Sequence, residues 1–355
     1  MLIFDSHAHI IPDLSGPCGY GSVEEHLRIS QKAMHEHLVQ PARRKKDNKK
    51  VIKLLWDDNQ DDKEGMSDVN FRVGKYGRFE WTQENEDCYL QYLPTYVEKM
   101  VYPVEELKIM MDYAGIHKAV LQCGGVYGNL NDYYLNVISN DKYLASIFYP
   151  LVRINEKNAF EDEQAIELRK YINEHNFKGL WFVPIKNCFT KKFDSFWDIV
   201  SNLNVPVFFP FFPDEYWMQR ASEIELFVQK YPNIPCILPQ AFPLSVKNYN
   251  DKIILEKKLK NIILSSNVFV EVVYPIGRGH IEDYPFPLCH EAVKTLFYEF
   301  GPQKLVWGSD IPMVERYCTY QQSLKYITDY CDFIPSSDIE LIMGKNLDSI
   351  FNQIL

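Results

Sequence analysis

The sequence predicts an α/β fold, a (β/α)8 barrel with a long insertion after its first strand. Beyond about residue 102, short apolar runs bounded by turn residues alternate with longer amphipathic stretches, the pattern of parallel βαβ units. With the apolar N-terminus the runs number eight, each followed by a helical stretch, the count a closed barrel needs. An open doubly wound sheet would carry a Gly-rich phosphate turn after the first strand, and His7-Ala8-His9-Ile10-Ile11-Pro12-Asp13 has none.

Taken in order, the strands are expected at Leu2–Ser6, Lys118–Cys123, Leu144–Tyr149, Gly179–Val183, Pro206–Phe209, Cys236–Leu238, Val268–Val273 and Leu305–Trp307. Helical spacing follows at Val104–Ala114, Asp132–Ser139, Ala159–Glu174, Phe193–Asn202, Tyr216–Lys230, Lys252–Ser265, Leu288–Phe300 and Gln321–Tyr330, and a terminal helix spans about Ser337–Asn352. Residues 1–355 read as one domain, and 14–102 as an insertion within it. A structureless loop of that length would count against the assignment. Within it, however, Val23–Leu38 has helical spacing, and Phe71–Trp81 alternates apolar and polar residues around glycines like a hairpin. Leaving the C-terminal end of strand 1, the insertion lies on the face where barrels place their active sites and can act as a lid.

Composition narrows the function classes. Hydrophobic residues make up 46% of the 355 and charged residues 24%, enough for a large core. A net charge of −10 argues against a nucleic-acid surface. The basic run Arg43–Lys46 with Lys49 and Lys50 is answered by Asp57, Asp58, Asp61, Asp62 and Glu64, as on a solvated surface. Eight scattered cysteines without a Cys-x-x-Cys pair read as reduced thiols. With neither a signal peptide nor an apolar run long enough for a membrane span, the expectation is a cytoplasmic protein.

Two segments carry the chemistry. His7 and His9, two residues apart at a strand end, share one face and point into the barrel mouth, where two imidazoles can bind one divalent ion. Near the other end, the apolar Leu305-Val306-Trp307 runs into Gly308-Ser309-Asp310-Ile311-Pro312. Strand 8 neighbours strand 1 in a closed barrel, so Asp310 can face the histidines, bind a metal and take a proton from water. The alternative for Asp310 is a turn or cap role.

Phe4-Asp5-Ser6-His7-Ala8-His9 together with Trp307-Gly308-Ser309-Asp310-Ile311-Pro312 resembles the amidohydrolase superfamily. The resemblance is to its amidohydrolase-2 branch, which includes aminocarboxymuconate semialdehyde decarboxylase and the resorcylate and carboxyvanillate decarboxylases. Phe177-Lys178-Gly179-Leu180, Tyr231-Pro232-Asn233-Ile234, Glu299–Lys304 and Met343-Gly344-Lys345-Asn346 are similar to it as well. The resemblance implies His7 and His9 as strand-1 metal ligands and Asp310 as strand-8 ligand and catalytic aspartate. It also implies a homodimer, a state common among relatives of this branch. Two positions depart from the pattern. The branch's strand-5 histidine falls at about Pro210, and its catalytic strand-6 histidine falls at Gln240, which can hydrogen-bond but cannot shuttle a proton.

Three outcomes stay open for the metal. His7, His9 and Asp310 could hold Zn²⁺ or Mn²⁺ with water or substrate completing the shell. Glu271 on strand 7, or His280 in the loop after it, could supply a further ligand. Or the metal could be lost. For the substrate, Arg278 between two glycines could grip a carboxylate. Arg72 and Arg78 could do so from the insertion, and Trp181 would be part of an apolar wall. The expected function is a metal-dependent hydrolase acting on a small, cyclic or aromatic, carboxylate-bearing molecule. The alternatives are a non-oxidative decarboxylase on the same scaffold and a degenerate barrel that binds a ligand without turnover.

Overall fold

In the computed structural model, residues 1–37, 40–60, 64–210, 217–239, 246–249, 252–255, 257–272 and 283–352 are described. The strands in chain order are β1 (Phe4–Ala8), β2 (Arg43–Arg44), β3 (Arg72–Val73), β4 (Arg78–Gln83), β5 (Glu86–Gln91), β6 (Lys118–Leu121), β7 (Phe148–Arg153), β8 (Gly179–Trp181), β9 (Val207–Phe208), β10 (Cys236–Leu238), β11 (Val246–Tyr249), β12 (Lys252–Leu255), β13 (Val268–Val272) and β14 (Leu305–Trp307).

Eight of these form one sheet in the order β1-β6-β7-β8-β9-β10-β13-β14. Every neighbouring pair is parallel. The two outer strands meet just beyond their ends, where the Asp310 amide donates to the His7 carbonyl (2.8 Å) and the His9 amide donates to the Ile311 carbonyl (2.9 Å). A parallel bridge between Ala8 and Ile311 completes the closure. The expected barrel is therefore present, and the hydrogen bonds that close it are those that place Asp310 beside the two histidines.

The barrel strands are largely buried, as in a parallel sheet covered on both faces: all five residues of β1 and all three of β8, β10 and β14 lie inside. The helix Val104–Ala114 stops at Gly115, whose φ of 75° gives the left-handed cap that a side chain would strain. The helix Tyr320–Thr328 starts on a reciprocal capping box between Thr319 and Gln322. All eight cysteines are free thiols. Among the described residues, no helix is long and apolar enough to cross a membrane.

Three elements differ from the sequence reading. The segment expected to be strand 3, Leu144–Tyr149, is mostly helix: Asp141 caps the amides of Tyr143 and Leu144, the helix runs Lys142–Ile147, and β7 begins only at Phe148. A short apolar run does not reveal its own period. The helix expected from Lys252 begins at Lys257, because Lys252–Leu255 is β12, paired antiparallel with β11. Consecutive isoleucines there favour extended backbone. The terminal helix is interrupted by a π turn at Leu341–Lys345, where a Cβ on Gly344 would come within 2.5 Å of the Leu2 carbonyl oxygen. The wider turn lets helix and N-terminal strand pack backbone to backbone.

The insertion has structure of its own. A helix, Val23–Glu36, is capped by Ser22, and β2-β5-β4-β3 form an antiparallel sheet. The expected hairpin corresponds to β3 and β4. Strands β2 and β5 are too polar to have been recognised. In β4 alternate residues Phe79, Trp81 and Gln83 face inward. The two ends of the insertion are tied together where they leave the barrel: Ile11 and Tyr102 exchange both backbone hydrogen bonds (2.7 and 2.9 Å), and the Leu14 amide donates to the Met100 carbonyl (3.1 Å).

Candidate functional site

β1 delivers His7 and His9 to the mouth of the barrel, and the turn after β14 delivers Asp310. All three are nearly excluded from solvent. His7 Nε2 lies 3.1 Å from His9 Nε2. Asp310 Oδ1 lies 3.1 Å from His9 Nε2 and 3.5 Å from His7 Nε2. Asp310 adopts a left-handed φ of 61° and precedes a cis Ile311–Pro312 bond. Aspartate tolerates that backbone better than most residues, and here it turns the carboxylate toward β1.

The far sides of the two rings decide what the near sides can do. His9 Nδ1 is 2.8 Å from the Gln122 carbonyl oxygen, which can only accept, so Nδ1 carries the proton. His7 Nδ1 is 2.8 Å from Glu271 Oε2, and donates to that carboxylate in the same way. Both Nε2 atoms are thereby aimed at one point, which Asp310 Oδ1 also faces. Three acceptors converging in a dry pocket repel unless a positive charge sits among them. A proton held on His7 answers that demand. Burial alone would lower His7, but Glu271 and then Asp310 outweigh it and push the imidazole up to about 9. Burial alone would raise Asp310, but the adjoining His9 and His7 rings hold it below the ordinary carboxylate range.

The support behind the triad is extensive. Asp5, fully buried, accepts from the amides of His7 and Ser309 (2.9 Å each) and from Tyr320 Oη (2.6 Å). It fixes the β1 backbone against the turn that carries Asp310, and burial pushes its carboxyl up to about 6. Gln122, at the end of β6, donates to the Ser6 carbonyl (2.7 Å), and its own carbonyl also accepts from Tyr134 Oη (2.8 Å). Over the histidines lie two tyrosines. Tyr127 sets its ring edge to His9 at a centroid distance of 5.9 Å, and its hydroxyl accepts from Tyr92 at 2.9 Å. Tyr92 comes from the insertion and is flanked by His37, ring centroids 6.3 Å apart. Arg316, in the 3-10 turn Met313–Arg316 after Asp310, donates to the Met313 and Tyr92 carbonyls, 3.0 Å each, and ties that turn to the insertion.

The other sequence candidates have varied placements. Glu271 stands behind His7, fully buried, and faces the ring rather than the mouth. Trp181 is buried at the end of β8 beneath the Arg153 guanidinium, 5.0 Å from its ring. Arg153 also donates to the Gly124 and Gly128 carbonyls (2.9 and 2.8 Å), bracketing the turn that carries Tyr127. Arg72 and Arg78 do not reach over the mouth as expected but are engaged in the insertion's sheet. Arg72 pairs with Asp87 (3.4 Å) and Glu80 (3.5 Å), while Arg78 lies 4.2 Å over the Tyr89 ring and bonds Gln91 (3.1 Å). Pro210 follows β9, buried, and offers no side-chain donor atom to a metal. Gln240, Arg278 and His280 lie outside the described residues.

Asp5, His37, Tyr92, Gln122, Tyr127 and Arg316 are functional neighbours that the sequence alone does not single out. A signal existed for two of these. Asp5 is an acid inside an apolar strand, and Gln122 is a polar end to Ala119-Val120-Leu121. The tyrosines are anonymous among 23 in the chain.

No family model matches the chain, and no curated protein does. Its fold is shared with solved structures of low sequence identity. One is described as a "probable 2-pyrone-4,6-dicarboxylic acid hydrolase" from Acinetobacter baumannii with citric acid bound (TM-score 0.54, 18% identity, 71% of this chain and 90% of that one). Another is a dihydroxybenzoic acid decarboxylase from Polaromonas with bound manganese and 2-nitroresorcinol (0.51, 15%, 71% and 87%). A third is an amidohydrolase from Burkholderia multivorans with bound zinc (0.54, 10%, 72% and 89%). What the chain shares with them is the fold, an eight-stranded parallel barrel.

Proposed function

We propose that this chain is a metal-dependent hydrolase of the amidohydrolase-2 branch, acting on a small, cyclic or aromatic carboxylate. The observation that carries the reading is the convergence of His7 Nε2, His9 Nε2 and Asp310 Oδ1, all within 4.8 Å of one another, with both imidazole Nδ1 atoms committed elsewhere. The donor set fits a divalent ion: two imidazoles and a carboxylate suit Zn²⁺ or Mn²⁺, and each ring carries the second partner that metal-ligating histidines have. Zinc and manganese are also the ions named for two of the similar structures. Bound there, the ion would polarise a carbonyl and acidify water.

The chain's own residues do the rest. His7 and His9 are held in fixed orientations by Glu271 and the Gln122 carbonyl, so no ring has to turn before binding. Asp310, kept ionised, accepts the proton of the attacking water and returns it to the leaving group. The Tyr92–Tyr127 pair, bridging insertion and barrel, closes the space above His9 and keeps bulk water from it. Pro210, after strand 5, brings no side-chain ligand, so His7, His9 and Asp310 would hold the ion with water or substrate completing its shell.

Decarboxylation is the second reading, favoured by the Polaromonas enzyme's similarity. There Asp310 would deliver a proton to the carbon that loses carboxylate. Assays of the purified chain on aromatic carboxylates and cyclic esters, reading CO₂ release and ester opening, separate the two. Asp310→Asn keeps the shape but not the base, and is expected to cost about 10²–10⁴-fold in turnover. A mutant that retains wild-type turnover overturns the mechanism. A chain that binds metal and ligand but turns over nothing is the degenerate barrel.

A further inference from the structure

We infer that Glu271 is the positioning residue of the metal site: a buried carboxylate on β13 that orients and polarises the His7 imidazole, and so sustains a site lacking a strand-5 histidine. The inference rests on the metal reading above and names the group on which that site's affinity depends.

Glu271 is fully buried, a position that strands a charge unless it is paired and hydrogen-bonded. The partners named here come from β1 and from the end of β6. Oε2 receives His7 Nδ1 at 2.8 Å. Oε1 receives Ser6 Oγ at 2.6 Å and, more loosely, Gln122 Nε2 at 3.4 Å. The carboxylate is thus gripped from β1 and from the end of β6 while its backbone belongs to β13. β14 makes room for it: a Cβ on Gly308 would meet Ser6 Oγ at 2.7 Å and the Glu271 Cδ and Oε1 at 2.8 Å. Four strands converge on one acid, a strong constraint on a residue that touches no solvent.

The geometry separates orienting from ligating. Both Glu271 oxygens are on the side of Nδ1, and the ring stands between them and the point where Nε2, His9 and Asp310 converge. A carboxylate hydrogen-bonded to the far nitrogen makes Nε2 a better electron donor and locks the ring's rotation. It also adds a negative charge near the ion without occupying a coordination position. With Asp310, the site then offers two carboxylates to a divalent cation, and an open coordination side is kept for substrate.

The test is a Co²⁺ titration of the full chain, following visible absorption, with Zn²⁺ competition to obtain Kd. Glu271→Gln preserves volume and hydrogen-bonding capacity while removing the charge, and is expected to raise Kd about 10–100-fold with the Co²⁺ band positions unchanged. Ser6→Ala removes one anchor and keeps the charge, and is expected to raise Kd by a smaller factor. It serves also if Glu271→Gln does not fold. Wild-type Kd in both variants overturns the inference, as does a changed Co²⁺ band envelope in Glu271→Gln, which would make Glu271 a ligand. Failure of the wild-type chain to bind Co²⁺ or Zn²⁺ overturns the metal reading itself, a separate result.

Discussion

Gly308→Ala is the most economical probe of how the site is built, because it adds one methyl group and changes no charge. The position requires no unusual backbone, since Gly308 is absent from the positive-φ glycines, and the effect is therefore steric. The new Cβ would lie 2.7 Å from Ser6 Oγ and 2.8 Å from Glu271 Cδ and Oε1, all well inside van der Waals contact. Neither neighbour can step aside: both are fully buried, and each is held by the other through a 2.6 Å hydrogen bond. Overpacking of this kind costs about 1–3 kcal/mol. At about 2–4 °C per kcal/mol for somewhat smaller domains, the melting temperature should fall by several degrees, up to about 10 °C. Displacing Glu271 should also turn His7 and weaken Co²⁺ binding in the same direction as Glu271→Gln. Gly125→Ala is the control, since a Cβ there meets nothing within 4 Å and φ is not positive. Differential scanning calorimetry and the Co²⁺ titration give both readouts. A Gly308→Ala protein that melts with wild type and binds Co²⁺ equally well would refute the reasoning from the cradle.

Metal binding should release protons. With His7 pushed up to about 9, the ring is protonated at neutral pH and must lose that proton to offer Nε2. Affinity should then rise about tenfold per pH unit between roughly 7 and 9 and level off above, as read by calorimetry in buffers of different ionisation enthalpy; a pH-independent Kd would contradict it. His37 behaves in the opposite sense: burial, then the charges of Arg316 and Lys53, push it down to about 3. The unfolded chain takes up a proton there near 6.5 and the folded chain does not, so folded stability should fall as pH drops from 6.5 toward 3. His37→Gln should flatten part of that fall in urea titrations across the range, and an unchanged slope would count against it.

Much of the fold was legible because parallel barrels write themselves in apolar runs. β10 and β14 lie where Cys236-Ile237-Leu238 and Leu305-Val306-Trp307 place them, and His7, His9 and Asp310 stand out as polar groups ending such runs. Misreadings fell where local period is silent. Leu144–Ile147 and Ile253–Leu255 are apolar stretches too short to choose between helix and strand without their neighbours, and an Asp141 cap and a β11 partner made the choice.

Period and order along the chain suffice to read the barrel, its eight strands and the three residues His7, His9 and Asp310. Tertiary structure decided what those residues face. Closure of β14 onto β1 set Asp310 3.1 Å from His9, across 301 positions of sequence. It also put Glu271 behind His7, where a reading by topology alone could equally have made it a ligand. And it sent Arg72 and Arg78 into ion pairing and ring stacking within the insertion, away from the mouth. These outcomes depend on the direction of individual side chains after packing, which follows from distant strands meeting and which no local pattern encodes.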